Sequence, residues 1–144
     1  MGLYLDTSCL LKLFFQEPES ASVAAVVAAE NRVVVSTLAR LELRVQIQGR
    51  MAGGTLSGRA AGALIAMVDR TLVQAPFEIA EMPGNVYAVA AGQTVAVGRS
   101  VHCRTLDRLH LAAMETLGLR RLLTADETQA RAAAACGFEV LRPC

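Results

Sequence analysis

Tryptophan is absent from this chain, and aromatic residues make up only 4% of it. Lysine is nearly absent too: of 14 basic residues only Lys12 is a lysine, and the rest are arginines. No basic tail or long Lys/Arg run announces nucleic-acid binding, and a net charge of +1 decides little. The four cysteines, Cys9, Cys103, Cys136 and Cys144, form no C-x-x-C pair, and no signal peptide is expected before them. That pattern makes reduced thiols in a cytosolic protein the simpler reading than a disulfide scaffold. No apolar run is long and clean enough to span a bilayer; residues 84–98 come nearest, but they are too short and carry Gly and Gln. Repeats, linkers and low-complexity tracts are also missing.

What is present is an apolar, aliphatic chain. Hydrophobic residues reach 53%, mostly Ala, Leu and Val, and the mean hydropathy is +0.40. The length fits one domain over residues 1–144. Such a chain buries roughly 70% of its unfolded surface and needs no staples. The apolar surplus points to a face covered by a partner.

Short apolar runs alternate with helical stretches. Strands are predicted at Gly2–Leu5, Arg32–Ser36, Phe77–Ala80, Leu122–Thr124 and Phe138–Leu141. Helices are predicted from Ser8 to Phe15, Glu19 to Glu30, Ser36 or Thr37 to Met51, and Ser57 to Leu72. Further ones should run from Pro83 to Gly98, Leu106 to Leu117 and Asp126 to Ala135. Gly118 and Gly137 serve as helix stops. Strands separated by helices indicate an α/β fold, a parallel sheet with helices on both faces.

Four acids stand out. Asp6 follows Leu3-Tyr4-Leu5, and Asp126 follows Leu122-Leu123-Thr124-Ala125, so both should leave the sheet at the rim where ligands bind in open parallel sheets. Glu42 is expected to border a stripe formed by Leu38, Leu41 and Val45. Asp107 falls in the first turn of its helix, where the dipole favours negative charge. Gathered carboxylates repel one another unless a hard divalent cation relieves them. Metal-dependent phosphodiester cleavage is the natural chemistry of such a group. The blander roles are helix caps for Asp6 and Asp126 and a helix-start acid for Asp107. Glu42 is harder to dismiss, since Arg40 and Arg44 reach it only around the helix.

The stretches LDTSCLLKLF, VVSTLARLEL, RTLDRLHLAAM and LLTADETQARAAAACGFEV span the chain in order. Together they resemble a PIN-domain ribonuclease of the VapC type, the toxin of a toxin–antitoxin pair. The resemblance implies a three-layer α/β/α domain with a small, mainly parallel sheet of four or five strands. It implies a Mg²⁺- or Mn²⁺-dependent endoribonuclease using activated water. Carried over by position, Asp6 and Asp107 are the direct metal ligands, while Glu42 and Asp126 complete the site, orient water or hold a second ion. Thr7, Ser8 and Thr124 would hold the carboxylates in orientation. The resemblance also implies a homodimer and a cognate antitoxin bound in an apolar groove. The helices from Ser8 to Glu30 and from Ser36 to Met51 are the candidate groove walls. His110 and Met114 follow Asp107 on its helix face and depart mildly from the family's pattern.

Lys12, Arg40, Arg44, Arg104 and Arg108 lie near the acids in sequence and are candidate contacts for RNA phosphates, Lys12, Arg40 and Arg108 foremost; solvated helix faces are the competing reading. Arg108 is expected at the site's rim. His102, Cys103 and His110 match no zinc spacing. A phosphatase of the haloacid-dehalogenase type wants an acid where Ser8 stands, and a receiver domain wants a late lysine, which the lone Lys12 cannot supply. The remaining alternative is a catalytically silent protein-binding module on the same fold.

Overall fold

The computed structural model describes residues 1–97 and 101–144. Its elements alternate in chain order. Strand β1 is Leu3–Leu5, followed by helices α1 (Thr7–Phe14) and α2 (Ser20–Ala28). Strand β2 (Val33–Ser36) leads into α3 (Thr37–Ala52) and α4 (Gly58–Leu72), then β3 (Phe77–Ala80). Helices α5 (Val86–Val97) and α6 (Thr105–Leu117) precede β4 (Arg121–Leu123), α7 (Glu127–Ala135) and β5 (Glu139–Leu141). The expected end of the fifth helix at Gly98 lies outside the described residues. Its start moves from Pro83 to Val86, because Pro83 instead accepts the Val86 N–H in a turn at 3.1 Å.

All strand pairs are parallel, in the order β3-β2-β1-β4-β5. Parallel strands need crossovers, and the helices supply them on both faces. Every residue of β1 and β2 is buried, as expected for strands covered twice. Their alternation divides the core. Leu3, Leu5, Val33, Val35 and Leu123 pack with Cys9, Leu10, Val23, Val27 and the inner face of α3. Tyr4, Val34 and Leu122 face the opposite way, towards Leu111, Met114, Ala132, Ala133 and Phe138. Helix α6 is consequently buried along much of its length, with α5 packed outside it through Val86, Ala90, Ala112 and Ala113.

Two local expectations are corrected. The helix expected to start at Ser8 starts at Thr7, capped by Asp6, whose side chain accepts the Cys9 N–H, so Ser8 lies inside the helix. The hydroxyl of Ser8 turns back onto Asp6 instead. On α3 the buried stripe is Ala39, Leu43 and Ile47, whereas Leu41 and Val45 are each 58% exposed. The apolar pattern of α3 runs around two flanks, and only the i, i+4, i+8 edge meets the sheet.

Gly118 closes α6 with φ 72°, a conformation costly for other residues. It turns the chain sharply into β4. Leu3, Tyr4 and Leu5 lie in register with Arg121, Leu122 and Leu123, so Asp6 and Thr124 emerge side by side beyond the strand ends.

Candidate active site

That register builds the deepest part of the site. Thr124 Oγ1 donates to Asp6 Oδ2 at 2.5 Å, Ser8 Oγ donates to Oδ1 at 2.7 Å, and the Cys9 N–H reaches Oδ1 at 3.1 Å. Asp6 is only 4% exposed. Burial pushes its carboxyl above the ordinary aspartate range, against the Ser8 and Thr124 hydroxyls and the Cys9 N–H, which pull it down. Thr124 Oγ1 also accepts the Asp126 N–H at 3.0 Å, and Ser8 Oγ accepts that of Ala125. Two hydroxyls thus lash the exit of β1 to the exit of β4.

Asp126 caps α7 by accepting the Gln129 N–H at 2.9 Å. Gln129 is buried, and its Nε2 donates to the Asp107 carbonyl at 3.0 Å. This bond ties the start of α7 to the first turn of α6 and fixes Asp126 relative to Asp107. Glu42 reaches the site from α3. Its Oε1 accepts from Thr7 Oγ1 at 2.8 Å and from His110 Nε2 at 2.5 Å. Burial raises the Glu42 carboxyl, but the bond and charge of His110 and the Thr7 hydroxyl outweigh it, and the group sits below the usual glutamate range.

The structure brings Asp6, Glu42, Asp107 and Asp126 onto one cavity of about 180 Å³, walled also by Thr7, Ser8, Leu11, Gln46, Arg104 and His110. Asp6 and Asp126 therefore cap helices and line the cavity at once, so their two readings do not compete. Thr7, Ser8 and Thr124 each bond a carboxylate of this cavity.

The expected cations fall elsewhere. Lys12 Nζ donates to the Pro18 carbonyl at 2.9 Å and pairs with Glu17 and Glu19. Arg40 lines a separate depression with Leu41, Arg44, Asp69 and Val73. Arg108, expected at the rim, is 8% exposed and turns inward, its Nη1 donating to Cys136 Sγ at 3.5 Å. The burial of α6 between sheet and α5 explains this. Among the described residues the cation at the rim is Arg104, 80% exposed, with Nε 3.2 Å from Asp107 Oδ2. The sequence offered Arg104 as one of five basic residues near the acids and pointed to Arg108 for the rim. Nothing in it singled out Gln46 or Gln129, and a polar residue on a helix flank carries no local signal for either role. Cys9 is a core residue, its thiol pushed up to about 12 mainly by burial.

Carboxylates and hydroxyls are hard oxygen donors, the set that suits Mg²⁺ or Mn²⁺. Among the described residues no three His, Cys, Asp or Glu side chains stand close enough together to hold an ion by themselves. Mg²⁺ keeps several waters and takes one or two carboxylates plus substrate phosphate, so an open cavity of this composition fits it.

Comparison with known proteins agrees with the fold. The sequence matches the PIN-domain family model over residues 3–135. It is 29% identical to Ribonuclease VapC46 of Mycobacterium tuberculosis, covering 99% of this chain and 98% of that protein. Among solved structures, the fold resembles M. tuberculosis VapC20, described as a Sarcin-Ricin loop cleaving toxin. The TM-score is 0.72 at 18% identity, over 98% of this chain and 99% of VapC20. A toxin–antitoxin complex from Klebsiella pneumoniae contains a chain matching with TM-score 0.68 at 15% identity, over 99% of this chain and 98% of that one. Among the described residues, no helix is long and apolar enough to cross a membrane.

Proposed function

The chain belongs to the PIN-domain family, and from that premise we propose that it is a divalent-metal-dependent endoribonuclease, the toxin of a toxin–antitoxin pair. The observation that carries this reading is the meeting of Asp6, Glu42, Asp107 and Asp126 on one cavity at the strand exits of a parallel sheet. The whole-length likeness to Ribonuclease VapC46 supports RNA as the substrate class. The chain acts as one domain in the cytoplasm, as a homodimer silenced by a cognate antitoxin in an apolar groove. The Klebsiella pneumoniae complex supports that partner class.

Asp6 and Asp107 would hold the ion, with Glu42 and Asp126 completing the site or orienting the attacking water. A bound Mg²⁺ or Mn²⁺ lowers the pKa of water and offsets charge on the phosphoryl oxygens. The protein's own work is orientation. Ser8 and Thr124 keep both Asp6 oxygens aimed by occupying one lone pair on each. The buried Asp6 carboxylate is costly while it stands unneutralised, so its site favours a cation. Arg104, mostly exposed and anchored on Asp107, is placed to meet a backbone phosphate arriving at the mouth.

The test is cleavage of a single-stranded RNA by purified protein with Mn²⁺, with EDTA and with Asp6→Asn. Loss of cleavage in both arms, and relief of growth arrest by the substitution, is the expected result. Undiminished cutting by Asp6→Asn in EDTA would overturn the proposal. The capping bonds of Asp6 and Asp126 favour one other reading, a silent binding module in which these acids are structural. Calorimetry separates the two, since a silent module gives no Mn²⁺ heat that depends on Asp6.

A further inference from the structure

His110 is 2% exposed, yet both ring nitrogens meet polar groups. Nε2 lies 2.5 Å from Glu42 Oε1 and 3.4 Å from Thr7 Oγ1. Nδ1 lies 2.6 Å from the Tyr4 hydroxyl, which itself donates to Ser36 Oγ at 2.8 Å. The Tyr4 and His110 rings meet edge to face, with centroids 5.8 Å apart. A carboxylate only accepts, so Nε2 carries the proton it shares with Glu42.

We propose that His110 is a positioning residue for Glu42: held by Tyr4 in the sheet, it fixes the rotamer of the carboxylate so that Oε2 alone is presented to the cavity. This rests on the nuclease reading above. Glu42 sits on the flank of α3, next to Leu43 on the buried edge, and backbone geometry alone leaves its three side-chain torsions free. Two donors on the same oxygen remove that freedom. Among the described residues no donor bonds Oε2, so the remaining oxygen is available to an ion or a water.

The chain of bonds runs from β2 through β1 and α6 to α3, with α1 closing it through Thr7. Each step joins a different element, so the Glu42 rotamer is set by the packing of the sheet rather than by its own helix. A histidine retained only to fill the core would need no second donor on Glu42 and no hydroxyl on Nδ1. Its volume would be the sole requirement.

The experiment compares the parent chain with Asp6→Asn, His110→Asn and His110→Gln. It uses steady-state cleavage of a single-stranded RNA, Mn²⁺ calorimetry and thermal unfolding in EDTA. The amide nitrogen of Gln reaches the position of Nε2; that of Asn reaches only that of Nδ1. His110→Asn should lower kcat by about 10–100-fold and weaken Mn²⁺ binding by about tenfold, with KM nearly unchanged. His110→Gln should recover most of both. Should the Asn variant fail to fold, Tyr4→Phe keeps the ring in the core and removes only the hydroxyl on Nδ1. It should lower kcat by about threefold to tenfold with KM unchanged. Equal kcat and equal Mn²⁺ affinity across parent, Asn and Gln variants, or a Tyr4→Phe protein at the parental kcat, overturns the proposal provided Asp6→Asn is inactive. A parent chain that does not cut RNA strikes the nuclease reading itself, and an active Asp6→Asn protein strikes the assignment of its acid site.

Discussion

Arg104 holds its Nε 3.2 Å from Asp107 Oδ2 at the mouth of the acid cavity, while most of its guanidinium faces solvent. Among the described residues, Arg104 is the cation that stands where a metal ion and an RNA phosphate would both arrive. Arg104→Ala should therefore act in two directions. Mn²⁺ binding, read by calorimetry, should tighten because a competing positive charge is gone. RNA binding should weaken, and the slope of log K against log salt should shrink by about 0.7, the contribution of one phosphate contact on a single strand.

Asp6→Asn should stabilise the protein while silencing it. Burial lifts the Asp6 carboxyl above its ordinary value of 3.8, so the folded chain keeps that proton to a higher pH than the unfolded chain does. Within the window between those two values folding takes up a proton, and stability falls as pH rises. Above the window the charged carboxylate is a standing cost; below it both states are protonated and the cost vanishes. In EDTA at neutral pH the Asn variant should melt higher by about 3 °C if ~1 kcal/mol is relieved. Its advantage should close as the buffer is acidified through the window. A melting difference that does not change with pH would contradict this.

Thr124→Val keeps the shape of the side chain and removes one hydroxyl. It leaves Asp6 Oδ2 without its donor and the Asp126 N–H without its acceptor. Chemical denaturation should report a loss of about 1–3 kcal/mol, the usual cost of stranding a buried polar group. Cleavage should drop by about 10–100-fold because two carboxylates lose their aim together.

Arg108→Met should change stability rather than RNA binding, since Arg108 is buried against Cys136. Lys12→Ala should likewise leave RNA affinity and its salt slope unaltered, because Lys12 spans the turn between α1 and α2. A salt slope that falls in either variant would put that residue back on the RNA path.

Asp6 and Asp126 could be placed from sequence because each follows a run of buried strand residues, and strand ends in a parallel sheet share a rim. Glu42 and Asp107 were visible as charges interrupting apolar helices. The flank they occupy was not, because Leu41 and Val45 are as apolar as Leu43 and Ile47. Only packing decides which edge of α3 meets the sheet. Arg104 and Arg108 show the same limit. They stand four apart near one helix start, and the burial of α6 against α5 sends one inward and leaves the other out. The bonds from Tyr4 through His110 to Glu42 join positions with no local pattern in common, so nothing short of the fold reveals them.

Thr124 and Asp6 are 118 positions apart yet share one hydrogen bond between neighbouring strands. During translation, Asp6, Glu42 and Asp107 all leave the ribosome before the strand that completes their surroundings. An unfinished polypeptide, or one cut short by a damaged message, carries most of the acids but not β4, Thr124 or Asp126. A polypeptide that stops before β4 therefore lacks two of the groups that wall the cavity, Thr124 behind Asp6 and Asp126 beside it.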